Sequence, residues 1–201
     1  MTDEKPKCMV EAKKYSKNFF DGERKYGYGG YHYIEGRWDK IIDIFVKYYL
    51  QFLPKNFTLL DAGCGKGFFL KDLKKRFPDS RLYGFDISKY AISKSDKKVK
   101  NTLFVHDLLK KTKFKKEFFD IYTAFGLIHN FKLNDMKFIF NEINRISKNQ
   151  YIWVESYRND EELFNLQCWA RTCESFFDPD EWKWIFKTFG YTGDYEFIYF
   201  N

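Results

Sequence analysis

From residue 37 to residue 52 apolar side chains recur every third or fourth position. Trp38, Ile41, Ile42, Phe45, Tyr48 and Tyr49 form one stripe, which predicts an amphipathic helix stopped by Pro54. Downstream, short apolar runs alternate with helical stripes. Residues 57–60, 81–85, 102–105, 119–125, 151–155 and 196–200 read as strands, and 68–77, 89–99 and 134–146 as helices. Pro78 ends the first of these helices, and Ser88 supplies an N-cap for the second. Met136, Ile139, Phe140 and Ile143 share one face of the third. Two further helical patches cover 161–169 and 179–189. The alternation predicts βαβ units and a mainly parallel sheet with helices on both faces. In such sheets the ligand lies beyond the carboxyl ends of the strands, near the switch point.

The stretch before the first helix is different. Residues 26–33 run Tyr-Gly-Tyr-Gly-Gly-Tyr-His-Tyr, with glycines interrupting any regular period. Such a segment reads as a loop with special backbone angles. No repeat, low-complexity tract or long linker divides the chain. The expected organisation is an aromatic and glycine-rich lid with its helix over 1–56, then an α/β core over 57–201 with an insertion at about 156–178.

Composition narrows the class. With 44% hydrophobic and 22% aromatic residues among 201, the chain holds too much apolar material for disorder. The net charge of +7 would suit a nucleic acid or an acidic membrane surface. Its lysines are scattered, however, and the densest stretch, 94–116, is broken by Asp96, Asp107, Leu108 and Leu109. They read as solvated helix faces, so neither a nucleic-acid nor a membrane partner is expected. The four cysteines, Cys8, Cys64, Cys168 and Cys173, form no C-x-x-C pair, and no metal site is expected. The opening residues 1–7 are polar, and no apolar run approaches a membrane span. The expected compartment is the cytoplasm, with reduced thiols.

The chemistry concentrates after the first strand, at Asp61-Ala-Gly63-Cys-Gly65-Lys-Gly67. Alternate glycines permit a tight turn into a helix and a close approach of ligand to backbone. A Walker loop needs Ser or Thr after Gly-Lys, where Gly67 stands instead. A dinucleotide fingerprint needs a glycine where Phe68 stands. Asp61, beneath the turn, would repel a pyrophosphate and attract a cation. A phosphate-free cofactor with an ammonium and a sulfonium suits that charge.

The run Leu59-Leu60-Asp61-Ala62-Gly63-Cys64-Gly65-Lys66-Gly67 resembles the first motif of class I S-adenosylmethionine-dependent methyltransferases. The resemblance extends from Phe57 to Phe200. It implies a Rossmann-like α/β domain whose last strand is antiparallel, with S-adenosyl-L-methionine as cofactor. It implies a carboxylate for the ribose hydroxyls after the second strand, where Asp86 stands with Ile87. It also implies an acid near the adenine after the third strand, matched by Asp107 with Leu108. After the fourth strand a loop from Ala124 to Asn130 would face the methionine part. The aromatic segment and the insertion are similar to an uncharacterised bacterial subgroup that methylates small molecules.

Arg37 is a candidate for the cofactor carboxylate. His129 and Tyr31 are the candidate catalytic residues, His129 because an imidazole accepts protons near neutrality. Tyr26, Tyr28 and Tyr33 of the lid, with Arg158 and Trp169, are candidates for the acceptor. Residues 155–158 with Trp169 and Glu174 would form a second wall, and Arg158 with Arg171 would meet an anionic acceptor such as a phosphate or sugar acid. The expected acceptor is small and polar, methylated on oxygen or nitrogen, such as a nucleotide-linked sugar or a phosphorylated precursor of a surface glycan. Methylation of RNA or protein, and cofactor binding without turnover, are the alternatives.

Overall fold

The computed structural model describes residues 4–200. The first three residues of the expected 1–56 segment and residue 201 of the core lie outside them. Strands β1 (Thr58–Ala62), β2 (Arg81–Asp86), β3 (Leu103–Val105), β4 (Phe119–Phe125), β5 (Ser147–Glu155) and β6 (Asp194–Ile198) form one sheet. Its order is β3-β2-β1-β4-β5-β6. Every neighbouring pair is parallel, which corrects the expected antiparallel last strand. The cause is helix α8 (Pro179–Phe189), which lies between β5 and β6 in the chain and packs into the core. That crossover returns the chain to the starting end, so Tyr151 pairs with Asp194 and Glu155 with Ile198.

The helix has strong local reasons to form there. Asp178 and Glu181 make a reciprocal capping box, Pro179 opens the first turn, and Gly190 closes the helix at φ 75°. Strand alternation divides the core between the two faces of the sheet. Leu60, Tyr122 and Ile152 pack with α8 and α6 (Leu133–Ile146), while Leu59, Ile121 and Tyr151 meet α3 (Asp39–Tyr48) and α4 (Phe68–Arg76). Phe45 of α3 is fully buried, with its ring edge-on to Phe69 and Tyr151.

Local chemistry also explains where the elements depart from the sequence pattern. Helix α5 (Lys89–Ser93) ends well before residue 99. Ser93 and Ser95 turn their hydroxyls onto the Tyr90 and Ile92 carbonyls, and Asp96 accepts from the Lys98 amide. Such side chains offer the backbone an alternative to continued helix. The N-terminal segment holds two short helices, α1 (Lys5–Ala12) and α2 (Lys17–Asp21), ahead of the glycine-rich loop. Ser16 caps α2 by accepting from the Asn18 amide. Among the described residues no helix is long and apolar enough to cross a membrane.

Candidate functional site

β1 lies at the switch point, with β2 on one side and β4 on the other. Gly63, Gly65 and Gly67, which follow it, all have positive φ. A Cβ on Gly67 would stand 2.7 Å from Leu103, so that glycine serves helix–sheet packing rather than the cavity. Gly63 and Gly65 instead line a cavity of about 910 Å³ that runs over the carboxyl ends of the strands.

At one end of this cavity are Asp86, Ile87, Asp107 and Leu108. Asp86 is buried and accepts from the Gly65 amide at 2.9 Å and the Ser88 amide at 2.8 Å. Those two bonds fix the carboxylate and leave lone pairs for ribose hydroxyls. Burial outweighs them and raises its pKa. Asp107 accepts from the Leu109 amide at 3.0 Å, and His106 beside it bonds the Lys110 carbonyl.

Asp61 is buried under the turn, and Thr123 donates to it at 2.8 Å. Burial pushes its carboxyl up to about 7 against the pull of that hydroxyl. It lines a smaller cavity of about 170 Å³ together with Arg37, Gly63 and Tyr31. An ammonium entering beside Asp61 would restore its charge. The bare backbone at Gly63 and Gly65 and this set of carboxylates fit S-adenosylmethionine. A Cβ on Gly65 would come within 3.2 Å of the Tyr31 ring.

The N-terminal segment forms the opposite wall through Tyr15, Phe19, Phe20, Tyr28 and Tyr31. It is tied to the glycine loop. Lys66 donates to both Asp21 oxygens and to the Tyr31 carbonyl, each at 2.7 Å. Tyr90 and the Tyr31 amide also donate to Asp21. Burial alone would raise Asp21, but these donors outweigh it and hold the carboxyl at about 2.

Beyond β4 and β5 the cavity is lined by His129, Glu155, Trp169, Arg24 and Arg171. His129 is buried, and burial drives its pKa down to about 3. Its Nδ1 accepts from the Glu155 amide at 3.1 Å, so the neutral ring carries its proton on Nε2. Nε2 stands 3.3 Å from the Glu155 carboxylate. Nδ1 is thereby engaged, and Nε2 faces the carboxylate. Arg24 stacks over the Trp169 ring at 4.2 Å and donates to the Gly27 carbonyl. Arg171 donates to the carbonyls of Lys25, Cys168 and Trp169. Neither guanidinium has a carboxylate partner among the described residues.

Five expected site residues are elsewhere. Besides Gly67, Ala124 is fully buried in the core. Tyr26 lies outside both cavities, with the Lys25 ammonium over its ring. Tyr33 donates to Asp72 and sits beneath Lys71 on the outer side of α4. Arg158 is paired with Glu162 at the start of helix α7 (Asp160–Trp169) and stacks on Tyr199. Arg24, Asp21 and Lys66 were missed as site residues. The Lys66 position within the glycine motif was the visible signal.

Residues 60–152 match the family model described as a methyltransferase domain. The match covers a little under half of the chain and takes in the glycine turn with Asp61, Asp86 and Asp107. The chain is 31% identical over 101 residues to malonyl-[acyl-carrier protein] O-methyltransferase of Legionella pneumophila, covering 49% of this chain and 34% of that protein. A second curated relative, malonyl-[acyl-carrier protein] O-methyltransferase 1 of Ilyobacter polytropus, is 28% identical over 46% of this chain and 32% of its own. The chain thus spans about a third of the length of the curated relatives it matches. In fold it is similar to Haemonchus contortus phosphoethanolamine N-methyltransferase 2 bound to phosphomonomethylethanolamine and S-adenosylhomocysteine. There the TM-score is 0.62 at 16% identity, over 90% of this chain and 44% of that one. Geranyl diphosphate C-methyltransferase of Streptomyces coelicolor gives a TM-score of 0.58 at 17% identity, over 76% and 61%.

Proposed function

We propose that this chain is a methyltransferase that moves a methyl group from S-adenosylmethionine to an oxygen or nitrogen of a small polar acceptor that carries an anionic group. The observation that carries the reading is the far end of the cavity. Two guanidiniums meet there around Trp169 with, among the described residues, only carbonyl oxygens as acceptors. A guanidinium so placed can still take a carboxylate or phosphate through its free N–H groups. A nucleotide-linked sugar or a phosphorylated glycan precursor has that chemistry. Two proteins of similar fold are named for, or were crystallised with, phosphate-bearing molecules, which is in keeping with it.

Asp86 would take the ribose hydroxyls, Asp107 the adenine, and Asp61 with Arg37 the amino-acid part. The bound cofactor supplies a methyl group on a sulfonium, already activated for in-line displacement. The protein's contribution is alignment of the acceptor and exclusion of water. Tyr28 and Tyr31 would close the N-terminal wall over the reacting atoms as a lid. Tyr31 acts there as a neutral phenol, since burial raises it far above neutrality.

The test is calorimetry and turnover. S-adenosylmethionine and S-adenosylhomocysteine should bind, and a panel of sugar phosphates and short phospho-amines should yield S-adenosylhomocysteine. Stabilisation by NADH or ATP, with indifference to both sulfur nucleosides, would overturn the reading. Salt-sensitive retention of RNA on a filter, with no small acceptor methylated, would favour a nucleic-acid substrate instead.

A further inference from the structure

Glu155 ends β5, and its side chain opens into the acceptor end of the large cavity. The carboxylate is held from several sides. His129, from the turn after β4, approaches through Nε2–H at 3.3 Å. The Trp169 indole donates to it from the end of α7. Tyr28 of the N-terminal segment and Cys173 of the insertion also face it, and both feel its charge. The backbone is fixed as well. The Glu155 amide donates to His129 Nδ1, and its carbonyl accepts from the buried Trp182 indole at 3.1 Å. No lysine or arginine pairs with this carboxylate among the described residues.

We propose that Glu155, rather than His129, receives the proton that the acceptor loses, with His129 as the positioning residue that aims the carboxylate into the cavity. The inference rests on the methyl-transfer reading. In the step, a lone pair on the acceptor's oxygen or nitrogen forms the bond to the methyl carbon. The carbon–sulfur bond breaks, its electron pair stays on sulfur, and the acceptor's proton passes to a Glu155 oxygen. The acceptor is therefore a proton-bearing nucleophile, a hydroxyl or an amine.

The local chemistry suits this division. His129 has its Nδ1 lone pair engaged and Nε2 already protonated, so it has no site for another proton until Nδ1 is released. Burial raises the Glu155 carboxyl to about 7, against the Trp169 hydrogen bond. A base of that strength accepts a proton near neutral pH and returns it to solvent. Adjacent strands stand about 4.8 Å apart, so Asp86 on β2 and Glu155 on β5 are separated by roughly 14 Å across the sheet. That distance leaves room for cofactor and acceptor in line.

The experiment labels the glutamate carboxyl carbons with carbon-13 and follows the protein saturated with S-adenosylhomocysteine by NMR. Glu155→Gln assigns the Glu155 resonance. In the wild type it should titrate near neutrality and respond to methylammonium, the probe for a proton-bearing nitrogen. His129→Phe, which removes the Nε2–H donor, should raise the midpoint by about one pH unit, and His129→Asn should bring it back. A midpoint in the ordinary carboxylate range overturns the proposal. So does a resonance blind to methylammonium, or one unmoved by both His129 substitutions. Calorimetry on the same samples separates the two levels. Loss of S-adenosylhomocysteine binding in the wild type would sink the methyl-transfer reading itself. Intact binding with an ordinary Glu155 would sink only the assignment of the base.

Discussion

Around the β1–β3 end of the site, Asp61 within β1, Asp86 at the end of β2 and Asp107 just beyond β3 are each held by a nearby hydroxyl or backbone amide. At the β4–β5 end, Glu155 and His129 are joined by Trp169, Arg171 and Arg24, which come from the insertion and from a turn near the N-terminus. The first end is made by the sheet. The second is assembled from long side chains on connections, where acceptor specificity can change without disturbing the cofactor.

The largest effect is expected from Trp182→Ala, which removes a fully buried indole and its bond to the Glu155 carbonyl. The cost should be about 3–5 kcal/mol, seen as a thermal midpoint lower by roughly 6–20 °C. Below the transition, S-adenosylhomocysteine affinity should persist if the two ends are built independently. Asp86→Ala tests the other end. It should weaken S-adenosylhomocysteine by about 1.5–3 kcal/mol in calorimetry, and wild-type affinity would remove Asp86 from the site.

Lys66→Ala cuts the tie between lid and glycine loop and should lower stability by about 1–3 kcal/mol in denaturant melts. Asp21 sits below its unfolded value of about 3.9, so its contribution is present above that pH and lost as pH falls through about 2. The variant should show a shallower loss of stability in that acid window. Asp61 has the opposite sign, because its folded carboxyl is raised to about 7. Its ionisation destabilises the ligand-free fold as pH climbs from about 4, and Asp61→Asn should flatten that decline. His129, held near 3, works against it by destabilising the fold as pH falls below its ordinary range. The difference between variant and wild type, not either curve alone, isolates Asp61. Arg158→Ala should leave cofactor and acceptor affinities unchanged, since its guanidinium lies against Glu162 and Tyr199.

The same contrast governs what was legible in the chain. Asp61, Asp86 and Asp107 were readable because each follows an apolar run, and strand ends converge on one edge by rule. Arg24 was not readable, since only folding brings its turn to Trp169. Tyr33 and Arg158 were placed in the wrong surroundings because residue type on a loop does not say which way the loop turns. Helices α1 and α2 bury only Cys8, Ala12 and Phe20, too thin a stripe for periodicity. Pro6 in the first turn and the Ser16 cap were the signals present. The direction of β6 hung on α8, whose capping box was written in the sequence, while the expectation for the strand came from family likeness.

Because β6 follows β5 in parallel and closes the order, its outer side carries backbone groups unpaired among the described residues. An open strand side is a template for another chain. Here the strand is short and bears Asp194 and Glu196, both exposed. These charges would repel a second copy laid alongside, so they act as guards against edge-to-edge association. Apolar replacements at the two positions would make this edge self-adhesive.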